Sequence, residues 1–267
     1  MNLMKGKTGL IMGVANERSI AWGIANQLHL NKANIVLTYQ NESFKKRIKL
    51  LSEKINCKNL YKCDVSLGPE NENSIENLIK NIKKDIGDLD FVVHALAYSD
   101  KEELKGKYVE TSRQNFLSTL DISAYSFTRI SKSASKIMTN GGSLLTLTYI
   151  GSNKTTPHYN VMGVAKAALE TSVKYLSVDL GKKNIRVNAI SAGPMKTLAG
   201  AAISGARHVY RYSEKIAPLQ KNPNLEQVGN AALYLLSDIS SGVTGLTHYV
   251  DGGLKVVGIP NQDLVNI

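Results

Sequence analysis

The run TLTYIGSNKTTPHYNVMGVAK, from Thr146 to Lys166, holds two tyrosines, Tyr149 and Tyr159, and closes on a lysine. Tyr159 and Lys166 are separated by 166 − 159 = 7 positions, and residues seven apart on a helix lie two turns along one face. A phenol and an ammonium so placed could both open on one cleft. The positive charge would favour the phenolate and make the phenol a better proton donor, an acid suited to a carbonyl or enolate oxygen. Tyr149 stands where the apolar run GGSLLTLTY ends, and in open α/β sheets the carboxyl ends of strands face ligand. Chance placement of two tyrosines and a lysine would give the same pattern, so by itself it leaves both readings open.

Holding such groups requires a sheet, and the chain supplies its strands in alternation with helical runs. Thr8 to Val14 is a short apolar run bounded by glycines, the pattern of a buried parallel strand. Gly13 opens the turn VANERS, which contains Ser19, and a helix with small residues begins at Ile20. Strand, glycine turn and helix N-terminus together form an anion site, because backbone N–H groups and the helix dipole converge there. The spacing G-x-G-x-x-G is absent, so the position of this turn in the first strand–helix unit carries more weight than its glycines. The next strand, NIVLTY (34–39), ends at Gln40-Asn41. In nucleotide-binding folds this strand end meets the adenosine ribose, where an acid binds the diol and a base favours a 2′-phosphate. Gln40 is neutral and neither position carries a base, which favours NADH over NADPH. Lys45, Lys46 and Arg47 read as the exposed start of a helix.

NLYKCDV (59–65) is a third short strand with Asp64 near its end. That carboxylate could accept from an adenine amine, or serve as a cap or turn residue. Asn73 to Ile86 has helical spacing, and LDFVVHALA (89–97) is the most uniformly apolar strand, with His94 as a packed core histidine. Thr111 to Met138 reads as one long helix whose apolar face could pack on a copy of itself. After Lys166 the helix runs to about Leu180; a strand at 185–190, a helix at 225–236 and a strand at 247–250 follow. Between them, Pro194 breaks the strand and the small residues up to Gly205 lack periodicity, so a mobile lid at about 194–212 is expected. The alternation implies one domain over 1–267: a Rossmann-like, doubly wound parallel sheet of about seven strands with helices on both faces.

A chain of 267 residues suits a single large α/β domain. Nothing resembles a spanning helix, and the apolar start reads as a buried strand rather than a signal peptide. Cys57 and Cys63 give neither a disulfide framework nor a zinc pattern, which fits a reducing cytoplasm. The five histidines show no metal-ligand spacing, so no metal is expected. The net charge of +11 is spread along the chain without an arginine-rich run or nucleic-acid signature. Such a field steers an acidic protein or an anionic cofactor, and no nucleic acid is expected.

The chain resembles the short-chain dehydrogenase/reductase superfamily and, within it, the bacterial enoyl-[acyl-carrier-protein] reductases. The resemblance runs from about Lys5 to Gly253 and is carried by GVANERSIAWGIA (13–25), TYQNE (38–42), CDV (63–65), DISAYSF (121–127), LLTLTYIG (144–151), YNVMGVAK (159–166) and RVNAISAGPMKTLA (186–199). Ordinary members place three residues between tyrosine and lysine, which would put Lys at 163; this chain has Gly163 and the wider spacing of the enoyl reductases.

The resemblance implies an NADH-dependent reductase of fatty acid synthesis, with Tyr159, Lys166 and Tyr149 catalytic. It assigns Gly13, Ser19 and Ile20 to the phosphates and nearby ribose, Gln40 to the adenosine ribose, Asp64 and Val65 to the adenine, and Leu96 along the dinucleotide. Lys166 would hold the nicotinamide ribose, with Met195, Lys196, Thr197, Leu198 and Ala199 near the nicotinamide. Ser99, with Leu96, Ala97 and Tyr98, would line the substrate mouth beside Tyr149 and Tyr159. Relatives carry glycine where Ala97 stands. The implied partners are an enoyl thioester on an acidic acyl carrier protein, met on the lid by Arg207 with Ser204 and His208 nearby, and further copies of this chain in a tetramer.

Overall fold

The computed structural model describes residues 2–201 and 203–265. In its first half β1 (Thr8–Met12), α1 (Ile20–Leu30), β2 (Asn34–Tyr39), α2 (Glu42–Lys54), β3 (Asn59–Lys62), α3 (Ile75–Asp85) and β4 (Phe91–His94) alternate. The second half contains α4 (Lys101–Lys105), α5 (Arg113–Leu120), α6 (Ser126–Ala134), β5 (Gly142–Thr148), α7 (Asn160–Gly181), β6 (Ile185–Ala192), α8 (Leu198–Ala201), α9 (Ala206–Ile216), α10 (Leu225–Leu236), β7 (Thr247–Val250) and α11 (Gln262–Val265). All seven strands join one sheet in the order β3-β2-β1-β4-β5-β6-β7, and every pairing is parallel.

Both sheet faces are covered, which explains why the strands read as near-continuous apolar runs. Leu10, Met12, Val92, Leu144 and Val187 point to a layer formed by α3, α6 and α7. Their neighbours Ile11, Val93, Leu145 and Ile190 point to the opposite layer of α1, α2 and α10, as the two-residue period of a strand requires. The order reverses between β1 and β4, and a crevice opens beyond the carboxyl ends of the strands at such a point. No helix among the described residues is long and apolar enough to cross a membrane.

Three expectations need correction. The apolar run 89–97 gives a strand only over Phe91–His94, because β1, its partner on one side, ends there: Met12 pairs with His94. The long helix expected over 111–138 is α5 and α6 joined by a π-helical turn at Asp121–Tyr125, a form that often marks a functional site. In that turn Ser123 bonds outside its own helix, donating to the Tyr98 carbonyl at 3.0 Å and accepting from the Tyr98 N–H at 2.9 Å. The segment without periodicity up to Gly205 contains the short α8, and Gly205, in a left-handed conformation, leads into the regular helix α9.

Candidate active site

Tyr149 follows the last residue of β5 in extended conformation and is half-buried. Tyr159 is the N-cap residue of α7, and Lys166 lies on that helix; they are 6% and 5% exposed. The Tyr149 and Tyr159 rings meet edge to face with centroids 5.0 Å apart. Among the described residues no protein group hydrogen-bonds the Tyr159 hydroxyl, and no buried side-chain oxygen is left without a partner. That hydroxyl therefore keeps an opening to solvent.

Burial, with Tyr149 and the Glu170 carboxylate nearby, pushes the Tyr159 phenol well above its ordinary range. A phenol is protonated at neutral pH in any case; burial makes this one a weaker acid, so its part is that of a hydrogen-bond donor. This corrects the expectation that the lysine favours a phenolate: desolvation dominates at Tyr159. The Lys166 ammonium donates to the Leu147 carbonyl at 2.8 Å. Burial brings Lys166 down to about 8 against the raising effect of Glu170. The same burial pushes Tyr149 up to about 12, against a hydrogen bond with Thr156.

Glycine at 163 has a packing cause. A Cβ there would fall 2.7 Å from the Gly151 carbonyl oxygen, and one at Gly151 would fall 2.4 Å from the Tyr159 ring. The helix, the loop and the phenol therefore close on each other where only glycine fits. On the other side of Tyr159, His158 and Asn160 both take positive φ, 58° and 39°, strain of a kind that gathers at functional sites. Asn160 is secured there by donating to the Leu104 and Gly106 carbonyls at 3.2 and 2.9 Å.

The far end of the crevice suits an anionic ligand. Gly13 has φ +100°, and a Cβ there would lie 2.1 Å from the Ala95 carbonyl oxygen, so only glycine lets β1 and β4 approach this closely. α2, α3, α5 and α10 each have a side-chain N-cap. α1 has none: the Ser19 hydroxyl turns back to the Asn16 carbonyl at 2.6 Å. The Ile20 and Ala21 amides thus keep their donors for an incoming group, while Trp22 and Gly23 donate to the Ser19 carbonyl. Gln40 and Asp64 come together across the ends of β2 and β3, with Gln40 Nε2 donating to Asp64 at 3.1 Å. Leu96 packs on the core beside the crevice. These groups fit a dinucleotide laid over the strand ends.

The other expected residues divide. Val65 is buried in the core, and its carbonyl is held by Arg129 at 2.8 Å. Ser99 is half-buried and shares hydrogen bonds with Asn115 at 3.2 and 3.3 Å. Ala97 and Tyr98 are exposed at the mouth. After β6, Met195 packs on the core, Thr197 caps locally by accepting from the Gly200 N–H at 2.9 Å, and Leu198 is exposed. The Lys196 ammonium lies over the Tyr210 ring of α9 at 4.7 Å. Ala199 falls in α8, with its side chain outside the described atoms. Ser204, Arg207 and His208 are exposed around the start of α9. His94 is fully buried between Thr146 and Ser126, and burial takes it down to about 3.

Arg129 and Asn115 escaped sequence reasoning, and Ser123 and Asn160 stood inside the runs DISAYSF and YNVMGVAK without a role. Arg129 donates to the Val65 and Leu67 carbonyls and pairs with Glu76 at 2.8 Å, clamping the loop that carries Asp64. Asn115 accepts from the Asp100 N–H at 3.0 Å and with Ser123 fixes the 98–100 loop. Their local sequence offers no signal beyond polar residues amid an apolar helical face.

An open helix N-terminus at the switch point, and after the fifth strand a buried tyrosine at the N-cap of the helix that carries a buried lysine, are the arrangement of a dinucleotide-dependent short-chain dehydrogenase/reductase. Within that class the chain belongs to the enoyl-[acyl-carrier-protein] reductases: the family model described as enoyl-(acyl carrier protein) reductase matches residues 13–255. It is 53% identical over 265 residues to enoyl-[acyl-carrier-protein] reductase [NADH] 1 of Rhizobium meliloti, covering 99% of this chain and 96% of that one. It is 50% identical to the enoyl-[acyl-carrier-protein] reductase [NADH] of Rickettsia typhi, covering 96% and 97%. Among solved structures it superposes on the Anaplasma phagocytophilum enoyl-acyl-carrier-protein reductase in complex with NAD with a TM-score of 0.93 at 52% identity, covering 99% and 98%. The Bacillus cereus enzyme, solved with NADP+ and an indole naphthyridinone, gives 0.93 at 43% identity, covering 97% and 100%.

Proposed function

We propose that this chain reduces trans-2-enoyl thioesters carried on acyl carrier protein, using NADH, in the elongation cycle of bacterial type II fatty acid synthesis. The observation that carries the reading is the buried Tyr159, its hydroxyl open, at the N-cap of the helix on which Lys166 lies. Bound NADH supplies the hydride, which goes to the β-carbon of the enoyl thioester. Negative charge would then collect on the thioester oxygen as an enolate, which takes a proton from solvent at the α-carbon to give the saturated thioester. Tyr159 donates a hydrogen bond to that oxygen, and a preorganised donor of this kind contributes roughly 10²–10³ in rate. Lys166 orients the nicotinamide ribose and adds positive field. Tyr149 shapes the pocket against the Tyr159 ring and supports the acyl thioester, while Ser99, braced by Asn115, lines its mouth.

Gly13, Ser19 and Ile20 take the phosphates, Gln40 the adenosine ribose, Asp64 and Val65 the adenine edge, and Leu96 and the 195–199 segment the remainder of the dinucleotide. The neutral Gln40 supports NADH over NADPH. The segment 194–212 is the lid. Arg207 on it, together with the net charge of +11, supports docking of an acidic carrier protein, and the chain works in the cytoplasm. Tyr125, Tyr175 and Val178, 56%, 72% and 77% exposed on packed helical segments, support self-association into a tetramer.

The test is NADH oxidation with crotonyl thioesters beside a panel of ketones, repeated with NADPH. Turnover of the enoyl thioester with NADH is expected; turnover of ketones alone would refute the reading.

A further inference from the structure

We propose that Glu170 is a positioning residue, pinning the segment that carries Tyr149 to the helix that carries Tyr159 and Lys166. The inference rests on the catalytic roles given above. Glu170 lies 170 − 166 = 4 positions after Lys166, one turn along the same face of α7. Its carboxylate accepts three side-chain hydrogen bonds, all from one short stretch. Thr148 and Ser152 donate to Oε1 at 2.7 and 2.5 Å, and Asn153 donates to Oε2 at 3.2 Å.

These donors bracket Tyr149. Thr148 ends β5, while Ser152 closes the 3₁₀ turn Ile150–Ser152 and Asn153 follows it. The carboxylate therefore ties both sides of the Tyr149–Gly151 stretch to α7, and this stretch sets the fit among Tyr149, Gly151 and the Tyr159 ring. The same charge raises Lys166 and disfavours ionisation of Tyr159. Glu170 makes no contact with the open Tyr159 hydroxyl, so its effect passes through other residues. Charge-assisted hydrogen bonds are the stronger kind, and three on one carboxylate join this stretch to α7 on both sides of Tyr149, beside the Lys154 bonds that tie it to the Lys255 and Val257 carbonyls.

Kinetics with crotonyl thioester and NADH, referred to the number of NADH-binding sites, test this. Glu170→Ala should lower kcat about 10- to 100-fold, the scale set by an ångström-sized misplacement of catalytic groups. Glu170→Gln keeps an oxygen for Thr148 and Ser152 and should recover kcat to within about threefold of wild type, since geometry and not charge is the main contribution. Ser152→Ala, a change in a half-buried turn that spares the fold, should lower kcat by itself and add nothing in the Glu170→Ala background, the non-additivity of groups acting through one contact.

A merely structural role would lower Tm and leave kcat per binding site unchanged. That result, or equal losses in Glu170→Ala and Glu170→Gln, overturns the proposal. Should Glu170→Ala fail to fold, an unchanged kcat in Ser152→Ala overturns it. Wild-type protein inactive on enoyl thioesters would instead defeat the parent reading, so the two failures are distinguishable.

Discussion

The edge of one tyrosine ring rests on the face of another where β5 passes into α7: Tyr149 and Tyr159 lie 5.0 Å apart with their planes at 64°. The contact separates what each ring does from what each hydroxyl does. Tyr159→Phe keeps the edge-to-face packing and removes only the donor. It should lower kcat roughly 10²–10³-fold while NADH affinity changes little. Tyr149→Phe loses a hydroxyl that turns towards Thr156, so its loss in kcat should be smaller. Steady-state kinetics beside NADH fluorescence titration decide both.

Lys166 gives opposite pH dependences for activity and stability. Burial lowers it from 10.5 to about 8, with Glu170 on its own helix and the neutral ring of His94 as the charged and titratable neighbours that sense it. NADH affinity should fall as pH rises through about 8 and the ammonium is lost. Stability moves the other way. Between about 8 and 10.5 the unfolded chain binds a proton that the folded one does not, so this group's penalty is present below about 8 and relieved as pH rises. Lys166→Met should remove both dependences, read by NADH titration and urea unfolding across pH 7 to 10 (roughly the window set by the two states).

Acid should destabilise the fold through His94. The ring is fully buried, its nitrogens lie against Thr146 and Ser126, and burial takes it from 6.5 to about 3. The folded pKa is depressed, so the unfolded chain binds the extra proton between those values. Stability from this group is complete above about 6.5 and lost as pH falls. The slope is up to about 1.4 kcal/mol per pH unit. His94→Gln should flatten the urea midpoint between about pH 4 and 6.5 while costing stability at neutral pH.

Arg129 should affect cofactor binding indirectly, through the loop that carries Asp64. Its guanidinium bonds the Val65 and Leu67 carbonyls and Glu76 together, and its side chain is 13% exposed. Arg129→Ala should raise the KM for NADH several-fold with a smaller change in kcat, because the loop with Asp64 loses its clamp. It should also cost about 2 kcal/mol in urea unfolding, the order for a hydrogen-bonded charge with polar partners left behind. Equal losses of kcat at saturating NADH would contradict this division.

Strand and helix order was legible because it rests on local rules. Apolar runs bounded by glycine gave the strands of a sheet buried on both faces, and α10 and β7 begin and end where their spacing says. The seven-residue interval between Tyr159 and Lys166 reads as one helical face; the structure puts Lys166 on α7 and Tyr159 at its N-cap, just outside the helix. Ends set by partners were not legible: LDFVVHALA stops as a strand at His94 because β1 ends there. Nor was the π-helical turn, which exists because Ser123 reaches the backbone of Tyr98, 25 residues away in sequence.

From its residues alone the chain determines a parallel α/β sheet, an anion-binding turn after the first strand and a phenol–ammonium pair after the fifth, since periodicity and helical spacing are properties of neighbours along the chain. Tertiary packing decides how weak an acid Tyr159 is, through burial that no local pattern records, and the choice of glycine at 163, which the Gly151 carbonyl enforces. It also decides that Glu170, Asn115, Ser123 and Arg129 hold the site in place. Hydrogen bonds of this kind join segments far apart in sequence, so they exist only once the sheet has brought those segments together.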